Sequence, residues 1–295
     1  MRVLVIGFGS IGQRHFRHAR ELGHEVLAYD IKAPSPTEAE AWAWRPEAVI
    51  IATPTHEHTH CLSKARAYAR KNRDHTHRIL VEKPLGRAVA DLEAYRVDRD
   101  HPWSDTERVG YSMRYHSGIR VLREVLSPRR ALLAWITCRQ DKSNWPGSGY
   151  DDMLLEGGSH EIDLARWLFG PCRLVAASGE NEKWLLKLEH ESGCVSTVLL
   201  DGTYTGYDRS ITVLTDGDVV KHATAGPADN WSWSLKLGDS ARRGMETYAD
   251  AMYLAEMRDF LGNVSDCATM ADGRAVVQLC DDARRLATLK TTKFT

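Results

Sequence analysis

The stretch RVLVIGFGSIG, residues 2–12, opens with a five-residue β-rich run and continues with glycines at positions 7, 9 and 12. A helical pattern follows, with packing residues at the spacing of one helix face: Ile11, His15, Ala19 and Leu22. A strand, a glycine-rich turn and a helix in this order are typical of a βαβ unit that holds a dinucleotide.

Each glycine has a separate task in such a turn. Gly7 permits the tight turn, Gly9 lets the backbone approach a pyrophosphate, and Gly12 lets the helix and the strand pack closely. The helix N-terminus offers unpaired N–H groups and a partial positive charge to the phosphates. The candidate cofactor contacts are therefore all residues of the turn: Gly7, Phe8, Gly9, Ser10, Ile11 and Gly12.

Asp30 closes the second strand candidate, residues 25–29, about twenty residues after the glycine turn. A carboxylate at this place accepts hydrogen bonds from a ribose diol and repels a 2′-phosphate. The sequence therefore predicts NAD, with NADP as the less favoured cofactor. Lys32 lies close enough to Asp30 to leave NADP open.

Short apolar runs alternate with helical patterns as far as residue 112, which is typical of βαβ units and a parallel sheet. The predicted strands in this part are 2–6, 25–29, 48–52, 78–81 and 108–111, with helices over 58–70 and 91–97. We therefore predict an α/β fold that begins with a dinucleotide-binding Rossmann domain over residues 1–112.

The pattern changes after residue 115. Helices are predicted over 119–126 and 153–169. The strand candidates, several of them joined by tight turns, are 131–139, 174–178, 184–189, 195–200, 210–214 and 219–222. This predicts a C-terminal α+β domain over 113–295 with a mainly antiparallel, open-faced sheet, which would bind substrate and mediate oligomerisation. Packing of the final helix, 272–290, back on the first domain stays open, and 141–150 and 225–237 are interpreted as loops.

The charge balance argues for a small-molecule partner. Thirty-nine basic residues stand against forty acidic ones, which gives a formal net charge of −1. Such a chain has no global field to hold nucleic acid or an anionic membrane, so neither is predicted as a partner. The six cysteines never form C-x-x-C, and no charged-then-apolar leader precedes the first strand. These features favour a reduced, cytoplasmic protein.

His56, His58 and His60 alternate around Glu57, which invites interpretation as a metal site. The segment should turn from loop into helix, so that the three rings would not converge on one ion. We therefore predict no metal, and we expect His56 and His58 to line the cofactor cleft.

Further short motifs follow the glycine turn in a fixed order: Thr53-Pro54 with His58, Glu82-Lys83-Pro84, and Gly157-Gly158-Ser159-His160-Glu161-Ile162-Asp163. Together with the glycine turn they resemble the Gfo/Idh/MocA family of NAD(P)-dependent oxidoreductases. The resemblance runs from Met1 to the final helix. It rests on the order and spacing of the motifs, each of which is modest alone.

The resemblance implies a catalytic role for three residues. Lys83 would contact both the reacting sugar hydroxyl and the nicotinamide, beside a cis Lys83–Pro84 bond. His160 would accept the proton. Glu156 stands where the family usually has aspartate, and residues four apart share a helix face, so Glu156 and His160 can address one substrate. Whether Glu156 binds the sugar or only steadies His160 stays open.

Residues at the carboxyl ends of the predicted parallel strands are further site candidates, since open α/β sheets bind ligands there. The cofactor contacts expected at these ends are Thr53, Pro54, His58, Glu82 and Lys83. The candidate substrate contacts, in addition to Lys83 and His160, are Arg114 and Tyr115 after the fifth strand and Trp145 in the following polar loop.

These residues predict an enzyme that transfers hydride between NAD and a hydroxyl or keto carbon of a sugar, sugar derivative or polyol. Removal of hydride from an alcohol requires a base for the hydroxyl proton, which suits a histidine, and a lysine can stabilise the developing alkoxide. One alternative is a transient oxidation that eliminates a substituent and returns the hydride, a glycosidase-type net hydrolysis. Another is a dinucleotide-sensing regulator, which would need neither Lys83 nor His160.

One face of the second sheet is predicted to be apolar and exposed, with these alternating positions: Leu186, Leu188, Val195, Thr197 and Leu199. In the resembled family such a face commonly packs on another copy of the same sheet. A homodimer or homotetramer through the C-terminal sheet is therefore implied.

Overall fold

The computed structural model describes residues 1–32, 36–72, 78–95, 105–142, 151–224, 226, 232–245, 250–262 and 266–291. The chain divides into two compact units. The first is Met1–Ser112 with Tyr253–Val277, and the second is Met113–Met252 with Gln278–Thr295. The first unit thus includes a C-terminal segment that the sequence-based division had placed in the second domain.

The helices and strands, numbered along the chain, are β1 (Arg2–Ile6), α1 (Ser10–Glu21), β2 (Glu25–Tyr29), α2 (Glu38–Ala43), β3 (Ala48–Ile51), α3 (Thr55–Lys71), β4 (Arg78–Glu82), α4 (Val89–Ala94), β5 (Glu107–Gly110), a 3-10 turn (Ser112–Tyr115), α5 (Ser117–Leu126), β6 (Ala131–Asp141), α6 (Met153–Glu156), α7 (Gly158–Phe169), β7 (Cys172–Glu180), β8 (Lys183–His190), β9 (Val195–Asp201), β10 (Thr203–Thr215), β11 (Val219–Thr224), β12 (Ser232–Leu237), β13 (Ser240–Met245), α8 (Ala251–Leu261), β14 (Ala268–Thr269) and α9 (Met270–Thr291).

The first unit is built on a six-stranded sheet in the order β14-β5-β4-β3-β1-β2. Strands β1 to β5 are parallel. The central strands are buried on both faces, since every residue of β3 and all but the first of β1 and β4 are buried. Continuous apolar strands with helical crossovers are typical of a doubly covered parallel sheet. The predicted Rossmann sheet is therefore confirmed, and the carboxyl ends of β1, β3 and β4 share one edge.

The C-terminal segment completes this sheet. In β14, Ala268 pairs antiparallel with Val109 of β5. The helix before it, α8, buries Met257 and Phe260, and the Arg78 guanidinium donates to the Phe260 carbonyl at 2.7 Å. The strand has only two residues, too few to show a period, and the sequence pattern therefore missed it.

The second unit is built on an eight-stranded sheet in the order β13-β12-β11-β10-β6-β9-β8-β7. Neighbouring strands are antiparallel, except that β6 and β9 run parallel. Helices α5, α6 and α7 contact this sheet. The predicted α+β domain with a mainly antiparallel sheet is confirmed.

The opposite face of the eight-stranded sheet carries exposed apolar side chains. Leu133 and Trp135 on β6 are each 52% exposed, and Leu185 on β8 is 43% exposed. The prediction that Leu186 and Leu188 lie on this face is wrong, because they alternate with Leu185 and are fully buried. The three positions that were predicted on β9 are half-exposed: Val195, Thr197 and Leu199.

Other element boundaries differ from the prediction. The segment 225–237, interpreted as a loop, contains β12, and β13 follows it. The helix predicted over 153–169 is divided at Gly157 into α6 and α7. All six cysteines are free thiols. Among the described helices, none is long and apolar enough to cross a membrane.

Candidate functional site

The three glycines of the first turn have different surroundings. Gly7 has a φ of +93°, which favours glycine, and a Cβ there would lie 2.6 Å from the Ala52 carbonyl oxygen. A Cβ on Gly12 would overlap the Gly7 carbonyl. At Gly9, by contrast, no heavy atom of the described chain lies within 4 Å of an added Cβ. Gly7 and Gly12 therefore serve the packing of the unit, and Gly9 leaves open space for a ligand.

Asp30 holds the glycine turn from the end of β2. Its Oδ2 accepts a hydrogen bond from the Phe8 backbone N–H at 2.6 Å, and its Oδ1 accepts one from the Lys32 backbone N–H at 2.7 Å. The first turn of α1, which begins at Ser10, carries no acidic side chain. An anion at the N-terminus of α1 would thus meet backbone N–H groups, with a half-exposed carboxylate at the end of β2. These residues suit a pyrophosphate and a ribose diol.

The segment that follows β3 is held by contacts of His58. Pro54 is the N-cap of α3, and the His58 ring is buried. Its Nδ1 lies 2.7 Å from the Pro84 carbonyl oxygen, and its Nε2 lies 2.8 Å from the Thr53 carbonyl oxygen. Burial lowers the pKa of His58, and the two carbonyls oppose this. His58 thus binds the backbone after β3 and the backbone after β4 in this structure.

Lys83 follows β4 at the same edge of the sheet. From Val81 to Gly86, Lys83 is the one residue that is not buried. The Lys83–Pro84 peptide bond is cis, as the resemblance implies. Glu82 is buried, and its Oε1 lies 2.6 Å from His15 Nε2 on α1. Lys83 is therefore a partly exposed residue between buried neighbours.

Glu156 and His160 share one face of the α6–α7 segment in the second unit. The His160 backbone N–H donates to the Gly157 carbonyl at 3.1 Å, which carries the chain from α6 into α7. From Met153 to Ala165, Glu156 and His160 are the two residues that are not buried. Both side chains are therefore partly exposed, although the Nδ1 atom of His160 is buried.

Two buried ion pairs hold the helix that carries His160. The Arg114 guanidinium donates to both Asp163 oxygens at 2.8 and 2.6 Å, and both side chains are buried. The fully buried Glu161 carboxylate accepts from Arg209 of β10. Arg114 was predicted to contact substrate, but here its guanidinium is committed to Asp163 inside the protein. The partners lie 49 and 48 residues apart along the chain, so no local pattern indicates them.

Of the remaining substrate candidates, Tyr115 is described by the structure and is buried. Tyr115 is 5% exposed, and the Arg120 guanidinium lies 5.3 Å from its ring centroid. Trp145 lies outside the described residues. The sequence-based argument also missed His15, whose place on a helix face was interpreted only as packing.

Metal-ligating groups come together in a cluster formed by residues other than the three alternating histidines. His56 is exposed and His60 contacts the Tyr95 ring, whereas ligating atoms of His15, Glu82 and Glu256 lie within 4.8 Å of one another. The 2.6 Å contact between His15 and Glu82 is a hydrogen bond, shorter than the about 3.3 Å that separates two ligands of one zinc ion. We therefore describe this cluster as hydrogen-bonded.

Solved structures with this fold match almost the whole chain. The UDP-N-acetylglucosamine 3-dehydrogenase GnnA from Acidithiobacillus ferrooxidans matches with a TM-score of 0.77 and 18% identity, over 97% of this chain and 97% of that chain. A myo-inositol dehydrogenase from Corynebacterium glutamicum matches with a TM-score of 0.76 and 16% identity, over 98% of this chain and 97% of that chain.

A third similar structure is a complex with bound ligands. The WlbA dehydrogenase from Bordetella pertussis, in complex with NADH and UDP-GlcNAcA, matches with a TM-score of 0.74 and 15% identity, over 98% of this chain and 96% of that chain. At these identities the likeness establishes a shared fold. No protein-family model matches the chain, and no curated protein matches it.

Proposed function

We propose that the chain is an NAD-dependent oxidoreductase that transfers hydride between nicotinamide and a hydroxyl or keto carbon of a sugar, sugar derivative or polyol. The observation that carries this proposal is the edge of the first sheet. There an open Gly9, the Asp30 carboxylate and the partly exposed Lys83 follow three strands of one parallel sheet. The similar structures support it, because several are named as dehydrogenases of sugar derivatives or inositol.

NAD is the proposed cofactor, with NADP less favoured. Asp30 lies where the adenosine ribose of a dinucleotide is bound in this fold, and its carboxylate would repel a 2′-phosphate. NAD⁺ or NADH is named in two of the similar structures, an oxidoreductase from Agrobacterium radiobacter and WlbA. Fluorescence titration should show tighter binding of NADH than of NADPH, and Asp30→Ala should narrow that difference.

The chemistry of the proposed reaction divides between the cofactor and two side chains. The nicotinamide supplies a hydride acceptor when NAD is bound. A ring nitrogen of His160 takes the hydroxyl proton while the carbon loses its hydride, and the Lys83 ammonium stabilises the charge that develops on oxygen. Glu156 shares a helix face with His160, where it either binds the substrate or orients the imidazole.

The proposal is tested by a screen of polyols, sugars and nucleotide-sugars for NADH formation. We expect turnover of at least one hydroxyl substrate by the wild type. Lys83→Ala and His160→Ala should each lower kcat about 100-fold or more, as is usual for removal of a charge-stabilising or proton-accepting group. Lys71→Ala, which removes an exposed lysine from the end of α3, is the matched control and should keep wild-type kcat.

Two other outcomes would contradict a simple dehydrogenase. If NAD binds but no substrate turns over in either direction, the chain is a dinucleotide-sensing regulator. If NAD is carried through purification and a glycoside is hydrolysed without net NADH release, the chain catalyses redox elimination. The absorbance of the reduced nicotinamide reads the first outcome, and the second requires a direct measurement of the sugar that is released from the glycoside.

We also propose a homodimer or homotetramer in which the exposed apolar face of the eight-stranded sheet packs on a second copy. Among the described residues, five large apolar side chains of this face are at least 40% exposed: Leu133, Trp135, Leu185, Leu214 and Val219. Monomeric proteins rarely leave such side chains together in water, and a self-complementary sheet face suits a two-fold axis.

A further inference from the structure

The backbone on both sides of Lys83 is held by buried side chains of the first unit. The Lys83 backbone N–H donates to Glu82 Oε2 at 3.1 Å. One residue further, the Pro84 carbonyl oxygen lies 2.7 Å from His58 Nδ1. The Lys83 side chain therefore leaves a backbone that is fixed before and after it.

His15 fixes the first of these contacts. Its Nε2 lies 2.6 Å from Glu82 Oε1, and the side chains are 0% and 8% exposed. Burial raises the pKa of Glu82, but the hydrogen bond and charge of His15 act in the opposite direction and the pKa is lowered overall. A Cβ on Gly110 would lie 3.2 Å from the same carboxylate, so Glu82 has little room to move. The ionised carboxylate is thus held against the Lys83 N–H.

His58 fixes the second contact and joins it to the cofactor half-site. Its Nε2 lies 2.8 Å from the carbonyl oxygen of Thr53, which follows β3. Carbonyl oxygens only accept hydrogen bonds, so a neutral imidazole can satisfy one of the two contacts and an imidazolium can satisfy both. In either form the ring lies between the ends of β3 and β4. A shift of one loop is therefore transmitted to the other.

We propose that His15 and His58 are positioning residues for Lys83, acting through the Glu82 carboxylate and the Pro84 carbonyl. We call His15, Glu82 and His58 the histidine clamp. This inference rests on the proposed function, in which the Lys83 ammonium contacts the substrate. The clamp matters because a displacement of about 1 Å at a reacting group can cost about 100-fold in rate.

Variants at His15 separate a positioning role from a purely structural one. His15→Leu removes the donor to Glu82, whereas the amide of His15→Gln can replace it. His18→Leu is the matched control, because His18 is buried on the same helix and its ring faces Glu21. We expect His15→Leu to lower kcat about 100-fold with little change in the KM for NAD, and His15→Gln to retain most of kcat. His18→Leu should keep wild-type kcat.

Hydrogen exchange provides a second measurement that needs no substrate. We expect faster amide exchange in the peptide covering residues 79–86 for His15→Leu and for His58→Leu, and wild-type exchange for His18→Leu. If His15→Leu fails to fold, His58→Gln takes its place, because both N–H donors of the glutamine amide leave one nitrogen and cannot span the Thr53 and Pro84 carbonyls as the two ring nitrogens do. It should then show an intermediate loss of kcat and intermediate exchange.

The outcomes separate the clamp from the proposed function. Equal kcat in His15→Leu and His18→Leu, with Lys83→Ala inactive, overturns the clamp and leaves the function of Lys83 standing. Wild-type turnover in Lys83→Ala, with faster exchange of residues 79–86 in His15→Leu, overturns the function of Lys83 and supports the clamp as a backbone contact. Loss of kcat in His15→Leu that is rescued in His15→Gln supports both.

Discussion

Gly9 differs from the other two glycines of the first turn in what surrounds it. Gly7 and Gly12 are confined by Ala52 and by each other, so the packing of the first unit requires them. A methyl group on Gly9 would meet open space, in the place where a pyrophosphate is proposed to approach. Stability and cofactor affinity can therefore be separated within one turn.

Gly9→Ala is expected to keep the free energy of unfolding or raise it by up to about 1 kcal/mol, because the φ of −70° is open to alanine. It should weaken NADH binding at least about 10-fold, since the methyl group occupies the approach to the backbone. Gly7→Ala should instead destabilise the protein by about 1–3 kcal/mol or more, because alanine is strained at positive φ.

Urea unfolding and NADH fluorescence titration measure the two effects. Gly217→Ala, which also adds a methyl group in open space but in the second unit, should change neither quantity. Wild-type NADH affinity in Gly9→Ala would show that no pyrophosphate approaches there.

Short motifs could indicate the partly exposed residues of the candidate site, but not the partners of buried polar residues. Lys83 and His160 both lie on the predicted elements and are partly exposed among buried neighbours. The contact of His15 with Glu82 spans 67 residues, and that of Arg114 with Asp163 spans 49. Such pairs are created by the tertiary fold, and an arginine after a strand has no local pattern that distinguishes an internal ion pair from a substrate contact.

At the scale of elements, α7 is anchored by charge inside the second unit. Asp163 and Glu161 leave this helix toward Arg114 and Arg209, while His160 is partly exposed. Buried ion pairs contribute little net stability as pairs, yet they are costly to break singly. The two ion pairs therefore hold the helix in one position, and neither pair uses the side chain of His160.

Asp163→Ala is expected to lower the free energy of unfolding by about 3–5 kcal/mol, because the Arg114 guanidinium then stays buried opposite an apolar side chain. The double variant Arg114→Met, Asp163→Leu should recover most of this loss. Glu189→Gln, which alters the exposed pair with Arg173, should cost less than about 1 kcal/mol. Urea unfolding compares all three, and a loss below about 1 kcal/mol in Asp163→Ala would contradict the anchoring role.

A buried histidine pair makes the second unit sensitive to acid. The rings of His116 and His222 meet edge to face at 6.0 Å, and both residues are 2% exposed. Burial lowers the pKa of His116 to about 4 and that of His222 to about 3. The unfolded chain therefore takes up these protons first as the pH falls below the ordinary value of 6.5.

The stability contributed by this pair is fully present above pH 6.5 and is lost as the pH falls toward the lowered pKa values. Each histidine should remove about 1.4 kcal/mol of unfolding free energy per pH unit in that range. Urea unfolding at about pH 7 and about pH 5 should show a shallower decline in His222→Leu than in the wild type. The exposed His56→Gln is the control, and equal declines in His222→Leu and the wild type would refute the assignment.

The positions of strands could be predicted where the alternation of apolar and polar residues extends over several residues. Assigning the buried face of a strand required its charged residues to be considered as well. On β8, Leu186 and Leu188 share one face, while Leu185 shares the other with Lys187 and Glu189. The charged face is the one in contact with water, so weighing those charges would have placed the leucines correctly. In β12, SWSLKL, the serines at alternate positions weaken the apolar signal that marks a strand.

For the whole molecule, the exposed apolar face of the eight-stranded sheet has the chemistry of an interface rather than of a solvated surface. Trp135→Lys places a charge in the middle of this face and should convert the proposed dimer or tetramer to a monomer. Light scattering of the protein eluting from a sizing column measures the mass. Tyr95→Lys, at a 42% exposed ring in the first unit, should keep the wild-type mass. A wild-type protein that is monomeric at micromolar concentration would contradict the interface.

Because the first unit is discontinuous in sequence, it is completed late in synthesis on the ribosome. Its parallel strands are synthesised within the first 112 residues, but β14 and α8 belong to Tyr253–Val277 and emerge only after the whole eight-stranded sheet. Until then β5 has no partner on its outer side, and an unpaired strand edge invites association with other chains. Nascent chains stalled at residue 112 should therefore be more sensitive to protease than chains released beyond Val277, because the unit that starts first is completed last.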